Sequence, residues 1–143
     1  MNTTAHQISE ELLDYIAKSP SCYHAVENGS KMLEGFTRLY EDREWKLIPG
    51  GNYFVIRNDS SIIAFKIPEN KYKFIRISAA HSDFPGFKVK TNPVMIVEKH
   101  YVKLNTEKYG GMIMSTWLDR PLSLAGRVVI KEDGNIVLKF INV

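Results

Sequence analysis

His81 and Asp83, an imidazole and a carboxylate, stand two positions apart in the stretch Arg76–Pro93, RISAAHSDFPGFKVKTNP. An apolar run from Phe74 to Ala80 ends in His81-Ser82-Asp83, and Pro85-Gly86 follow at once. That pattern predicts a strand over Phe74–Ala80 that delivers polar side chains to its end. Residues i and i+2 of a strand face the same way, so His81 and Asp83 share a side if the extended geometry lasts through Asp83. An imidazole and a carboxylate placed together suit a metal. One ring nitrogen ligates, while the carboxylate accepts the hydrogen of the other and fixes the tautomer. The end of a strand in an open α/β sheet is also where ligands bind. On spacing alone, such a pair is more often a surface or hydrogen-bonded structural pair that holds no metal.

Periodicity gives the helices and strands around this pair. Ile8, Leu12, Leu13 and Ile16 recur at helical spacing opposite Glu10, Glu11 and Asp14, which predicts an amphipathic helix over residues 7–18, stopped by Pro20. Ser21 is placed to cap a second helix that continues through Ala25, Val26, Met32 and Leu33 to Gly35. His24 is read there as a histidine hydrogen-bonded near the helix start. From Phe36 the period becomes two. A short strand near Leu39 precedes the break Pro49-Gly50-Gly51, and the runs 53–56 and 61–65 form a hairpin around Arg57-Asn58-Asp59-Ser60. Beyond the His81 segment, short strands are expected at Phe87–Lys90, Met95–Glu98 and Tyr101–Leu104, with a loop over Asn105–Tyr109. Arg127–Lys131 and Asn135–Phe140 flank a second hairpin turn. A boundary is placed near residues 92–95. Trp117, Asp119 and Arg120 are read as a group that pins a loop.

Composition limits the partners. The 143 residues are 44% hydrophobic, enough for a globular core, and 19 basic against 16 acidic residues leave a formal charge of +3. That balance gives no ground for nucleic acid as a partner. The lysines at 71, 73, 88, 90, 99, 103 and 108 alternate with apolar residues as on the wet face of strands. One cysteine, Cys22, excludes an intrachain disulfide and a multi-cysteine zinc site within the chain. No segment has the length of a membrane span or the pattern of a secretory leader, so the expected location is cytoplasmic, without membrane contact.

HSDFPGFKVKTNP, taken with SPSCYHAV at Ser19–Val26 and YGGMIMSTWLDRPLSLAGRVV at Tyr109–Val129, resembles the aspartyl aminopeptidase family of zinc metallopeptidases. The blocks occur in the family's order and span nearly the whole chain. The resemblance implies that His81 is a zinc ligand and that Asp83, as the catalytic-site carboxylate, orients the metal site. It also implies a two-zinc centre, a peptide substrate, possession of an acidic preference at the N-terminal residue, and assembly into homo-oligomers. The implied fold is α/β: residues 1–94 as the N-terminal part of a zinc-peptidase-like α/β/α catalytic domain, then residues 95–143 as the start of a β-rich inserted dimerisation domain. The remaining ligands and the general base of that family have no counterpart here, and His6, His24 and His100 sit in unlike contexts. The expected protein is therefore the N-terminal portion of a metallo-aminopeptidase, inactive by itself. The other reading is a non-enzymatic, β-rich interaction module whose lysines bind an acidic partner.

Overall fold

The computed structural model describes residues 4–143. It is a mixed α/β protein with two helices near its N-terminus and three small sheets. Helix α1 spans Ala5–Ala17 and is capped by Thr4, whose hydroxyl accepts from the Gln7 amide at 3.3 Å. Its apolar stripe, Ile8, Leu12, Leu13 and Ile16, is exposed. Helix α2, Cys22–Lys31, starts at Ser21 as the sequence requires. Ser21 Oγ takes the His24 amide at 3.5 Å and lies 2.8 Å from His24 Nδ1, so His24 is spent on the helix start. Ala25 and Val26 are the buried residues of α2, and Tyr15 of α1 donates its hydroxyl to the Ala25 carbonyl at 3.0 Å.

The first sheet joins β1 (Thr37–Leu39), β2 (Asn52–Arg57) and β3 (Ser61–Lys66) in that order. β1 runs parallel to β2, and β2 pairs antiparallel with β3 from Asn52↔Lys66 to Arg57↔Ser61. Tyr53, Phe54 and Val55 of β2 are buried with Leu39 of β1 because β2 is the central strand. Asn58 and Asp59 turn the hairpin with φ of 52° and 56°, a left-handed pair that short Asn and Asp side chains tolerate.

By contacts the chain divides into two units, the chain through Asp83 with Ser123–Val143, and Phe84–Leu122. The division falls at 83/84 and 122/123, whereas the sequence places a boundary at residues 92–95. Those residues lie inside one strand, β4 (Gly86–Val97), paired antiparallel with β5 (Tyr101–Tyr109). Between the pairs Val89↔Thr106 and Val94↔Leu104 the register breaks, leaving Lys90–Pro93 as a bulge. Pro93 has no amide hydrogen to give a ladder, and a bulge is where a strand accommodates it. Thus the separate strands expected at 87–90 and 95–98 are one element, and the loop expected at 105–109 is strand. In this unit Trp117, on a short 3-10 turn over Met114–Trp117, meets Phe87 edge-on with centroids 5.8 Å apart. Arg120 donates to the Thr116 carbonyl at 3.4 Å, a contact within its own loop.

The last hairpin, β6 (Ala125–Glu132) with β7 (Asn135–Asn142), turns through Asp133 and Gly134 at φ of 49° and 84°. It belongs to the first unit, where Phe140 packs on Tyr23 and His24 of α2 with ring centroids 5.7 and 5.6 Å away.

One expected element is absent. Phe74–Ala80 forms no strand, and the chain bends at Ser82. Phe74, Ile75 and Ile77 are exposed. A strand exists only when its amides and carbonyls find a ladder, and the described residues pair none with this segment. Apolar composition alone did not supply one.

Candidate functional site

The segment that leads to His81 starts where β3 ends. Gly50 and Gly51 exchange backbone hydrogen bonds with Ile67 at 2.9 and 2.8 Å, closing the base of the hairpin, and the chain then bends at Glu69 and Asn70. A groove of about 900 Å³ follows, walled by Phe36, Phe65, Pro68, Tyr72, Phe74 and Ile75; neither His81 nor Asp83 lines it.

His81 and Asp83 do come together. His81 Nδ1 lies 3.1 Å from Asp83 Oδ1. The expected cause was strand pleating, but the bend at Ser82 achieves it instead. The His81 side chain is 92% exposed and that of Asp83 38%. The carboxylate therefore sits against the protein while the ring projects to solvent, with its second nitrogen, Nε2, turned from the carboxylate by the ring's own geometry. A neutral imidazole that donates Nδ1–H to a carboxylate keeps its Nε2 lone pair for a cation.

That arrangement fits zinc as one ligand with its orienting partner. It is not a complete centre, for among the described residues no group of three or more His, Cys, Asp or Glu side chains is placed to hold a metal ion. His6 is engaged with Glu10 at 3.1 Å, and His24 with Ser21. Cys22 is a free thiol at the start of α2.

Two further residues belong to the surroundings of the pair and were not anticipated. Ser82, between them, donates its hydroxyl to the Ser60 carbonyl at 2.8 Å. Ser60 closes the β2–β3 turn, its amide donating to the Arg57 carbonyl at 3.2 Å. Arg127 of β6 grips the same turn. Its Nη1 donates to the Asn58 carbonyl at 3.0 Å and to Asp59 Oδ2 at 3.1 Å, and Nη2 donates to Asn58 Oδ1 at 3.1 Å. A hydroxyl inside His-Ser-Asp is a visible signal; an arginine more than forty residues away is not.

Comparison with known proteins gives this geometry its context. Residues 15–143 match the family model described as aminopeptidase I zinc metalloprotease (M18). The chain is 46% identical over 134 residues to the probable M18 family aminopeptidase 2 of Clostridium novyi, covering 89% of this chain and 30% of that protein. It is 41% identical over 149 residues to aspartyl aminopeptidase 1 of Schizosaccharomyces pombe, covering 98% of this chain and 31% of the relative. Among solved structures, Ape4 in its complex with Nbr1 superposes with a TM-score of 0.88 at 40% identity, over 100% of this chain and 28% of that one. The mApe1 dodecamer of S. cerevisiae gives 0.79 at 27% identity, over 94% and 33%. The chain thus spans about 30% of the length of the curated relatives it matches. With three separate blocks and the His81–Asp83 contact inside one match that runs from Tyr15 to Val143, the chain belongs to the M18 family of zinc metalloproteases, the aminopeptidases.

Proposed function

We propose that these residues are the N-terminal portion of a zinc-dependent aminopeptidase, in which His81 is a metal ligand and Asp83 the carboxylate that orients it. The observation that carries this reading is the 3.1 Å contact between His81 Nδ1 and Asp83 Oδ1, within a chain matched to the family over residues 15–143. His81 would hold zinc through Nε2. Asp83 would keep the proton on Nδ1 and increase the basicity of the ligating nitrogen. Zinc bound there supplies Lewis-acid polarisation of a peptide carbonyl and a water of lowered pKa. Two metals and the remaining ligands are proposed for the intact protein, since one imidazole does not satisfy a centre that needs three protein ligands.

The proposed substrate is a peptide with a free N-terminus, with acidic first residues favoured on the analogy of the S. pombe relative. A homo-oligomer is proposed on the analogy of the solved dodecamer. The catalytic domain is proposed to have α/β/α layering, with the chain's first part contributing to it and the β-rich part beyond, residues 95–143 in the sequence-based division, opening a dimerisation insert. The lone cysteine suits a reducing, cytoplasmic compartment.

The test uses the product of the whole gene that carries these residues, purified as wild type and as His81→Ala. Zinc per subunit and kcat/KM on aspartyl and leucyl chromogenic amides are measured, with circular dichroism as the folding control. His81→Ala is expected to lose zinc and activity together. A folded His81→Ala protein with full zinc and full activity would overturn the assignment.

A further inference from the structure

No strand ladder among the described residues holds the His81–Asp83 pair, and residues 71–81 are exposed throughout. A ring that is 92% exposed keeps no fixed direction by packing. The backbone on which it and Asp83 are mounted is one determinant of its orientation.

We infer that Ser82, and behind it Arg127, are positioning residues for that pair. Ser82 donates to the Ser60 carbonyl at 2.8 Å across 22 residues of sequence, fixing the peptide that lies between His81 and Asp83. Ser60 is only as fixed as its turn. Asn58 and Asp59 occupy the left-handed region, and the Arg127 guanidinium closes three hydrogen bonds on them at 3.0 to 3.1 Å. Arg127 is in turn immobilised. Its side chain is 19% exposed and its guanidinium carbon lies 4.6 Å from the Tyr23 ring centroid on α2. A continuous path of contacts therefore runs from α2 through Arg127 and the β2–β3 turn to Ser82, and all of it lies within one unit of the chain.

The path has a consequence for chemistry. With the Ser82 peptide held, Asp83 stays within reach of Nδ1, and the neutral ring keeps its hydrogen there and its lone pair on Nε2. With the Ser82 hydrogen bond lost, the peptide between them gains freedom, the Nδ1–Oδ1 contact loosens, and the ring shifts toward the mixture of tautomers it has in water. This role serves the proposed zinc site but does not depend on metal for its detection.

The experiment reads the His81 tautomer directly, by long-range nitrogen–proton correlation of the ring in the metal-free 143-residue chain at a pH where the ring is neutral. Wild type is expected to show the Nδ1–H form in the majority. Ser82→Ala is expected to lower the ratio of Nδ1–H to Nε2–H at least threefold, and Ser82→Thr, which keeps the hydroxyl, is expected to restore it. His24, hydrogen-bonded to Ser21, is the internal reference and should not move with Ser82→Ala. Arg127→Met should shift His81 in the same direction, by less. If Arg127→Met does not fold, Asn58→Gly replaces it, because glycine keeps the left-handed turn while deleting one acceptor of the arginine.

An unchanged His81 ratio in folded Ser82→Ala overturns the inference for Ser82, and an unchanged ratio in the turn variants removes Arg127 from the path. A majority of Nε2–H in wild type overturns it outright. None of these outcomes involves zinc or turnover, so failure here leaves the peptidase reading standing, and loss of that reading through His81→Ala leaves this result intact.

Discussion

Asp83 can be separated from His81 by what each substitution leaves behind. His81→Ala removes a ligand, whereas Asp83→Asn leaves the ring in place but replaces an acceptor with an amide that can present its NH2 group to Nδ1. The ring then loses its reason to keep the Nδ1–H form. Losses of about 10–100-fold in metal affinity or activity are expected for such a partner, with zinc still bound at high concentration. Zinc titration of the intact protein against a competing chelator checks this; an affinity equal to wild type would show that the 3.1 Å contact is a surface pair. A second pair makes a pH-dependent case. Arg57 is hydrogen-bonded to Glu41 through Nε at 3.0 and 3.2 Å and also through Nη2. That hydrogen bond holds the Glu41 carboxyl below the ordinary glutamate range, with desolvation opposing it and the guanidinium charge adding a lesser downward pull. A depressed folded-state pKa means that stability is contributed above the unfolded value, near pH 4.3, and is lost as pH falls through the lower folded value. Urea midpoints of wild type and Glu41→Gln should therefore differ slightly at pH 7 and converge in acid, the effect being small because the pair is exposed. Equal midpoints throughout would mean that the pair contributes nothing. His81 and Asp83 were legible because their relation is local, two residues apart. Glu41–Arg57 and Arg127–Asn58 join segments that no local pattern links.

Elements whose reason is a turn were legible; those whose reason is a neighbour were not. Asn58-Asp59 and Asp133-Gly134 adopt the left-handed pairs their residue types favour, and both hairpins follow. Both helices begin near hydroxyl caps for the same local reason. By contrast, Phe74–Ala80 has the composition of a strand and no partner, and Asn92-Pro93 looked like a break but is carried within a bulge of β4. The base of the first hairpin depends on one close approach. A Cβ on Gly51 would collide with the ring and hydroxyl of Tyr53, which is buried and whose oxygen accepts from the Ile48 amide at 2.9 Å. Because that ring cannot retreat without losing the hydrogen bond, Gly51→Ala is expected to destabilise the fold by about 1–3 kcal/mol, the usual range for overpacking. Denaturant unfolding measures it, and a change below about 0.5 kcal/mol, within ordinary surface scatter, would show that Tyr53 yields freely.

At the scale of the whole chain, what stands out is how little apolar surface the described residues cover. The buried apolar side chains are Ala25, Val26, Leu39, Tyr53, Phe54 and Val55, while α1's stripe, Phe74, Ile75 and Ile77, and, in the other unit, Val94, Ile96 and Val102 are exposed. Apolar patches of this kind mark surfaces that bind something or cause association. The 143-residue chain should accordingly bind an apolar dye, and replacing Ile75 and Ile77 together by lysine should lower that signal without altering circular dichroism. An acidic-partner module would rest on lysines alone, and family membership leaves it without an observation of its own. The same scale decides activity. Catalysis at zinc requires three protein ligands and an open position, and proton transfer requires a base within hydrogen-bond reach of the reacting water. The described residues bring one imidazole and one carboxylate together and no group of three ligands anywhere. The 143-residue chain supplied with zinc is therefore expected to show no aminopeptidase turnover on aspartyl, glutamyl or leucyl amides, whereas the proposed longer enzyme is expected to turn them over in a chelator-sensitive way. Cleavage by the 143-residue chain that stops on chelation and returns with zinc would require ligands brought together by a second copy, which sedimentation of the active species would reveal as a concentration-dependent loss of activity on dilution.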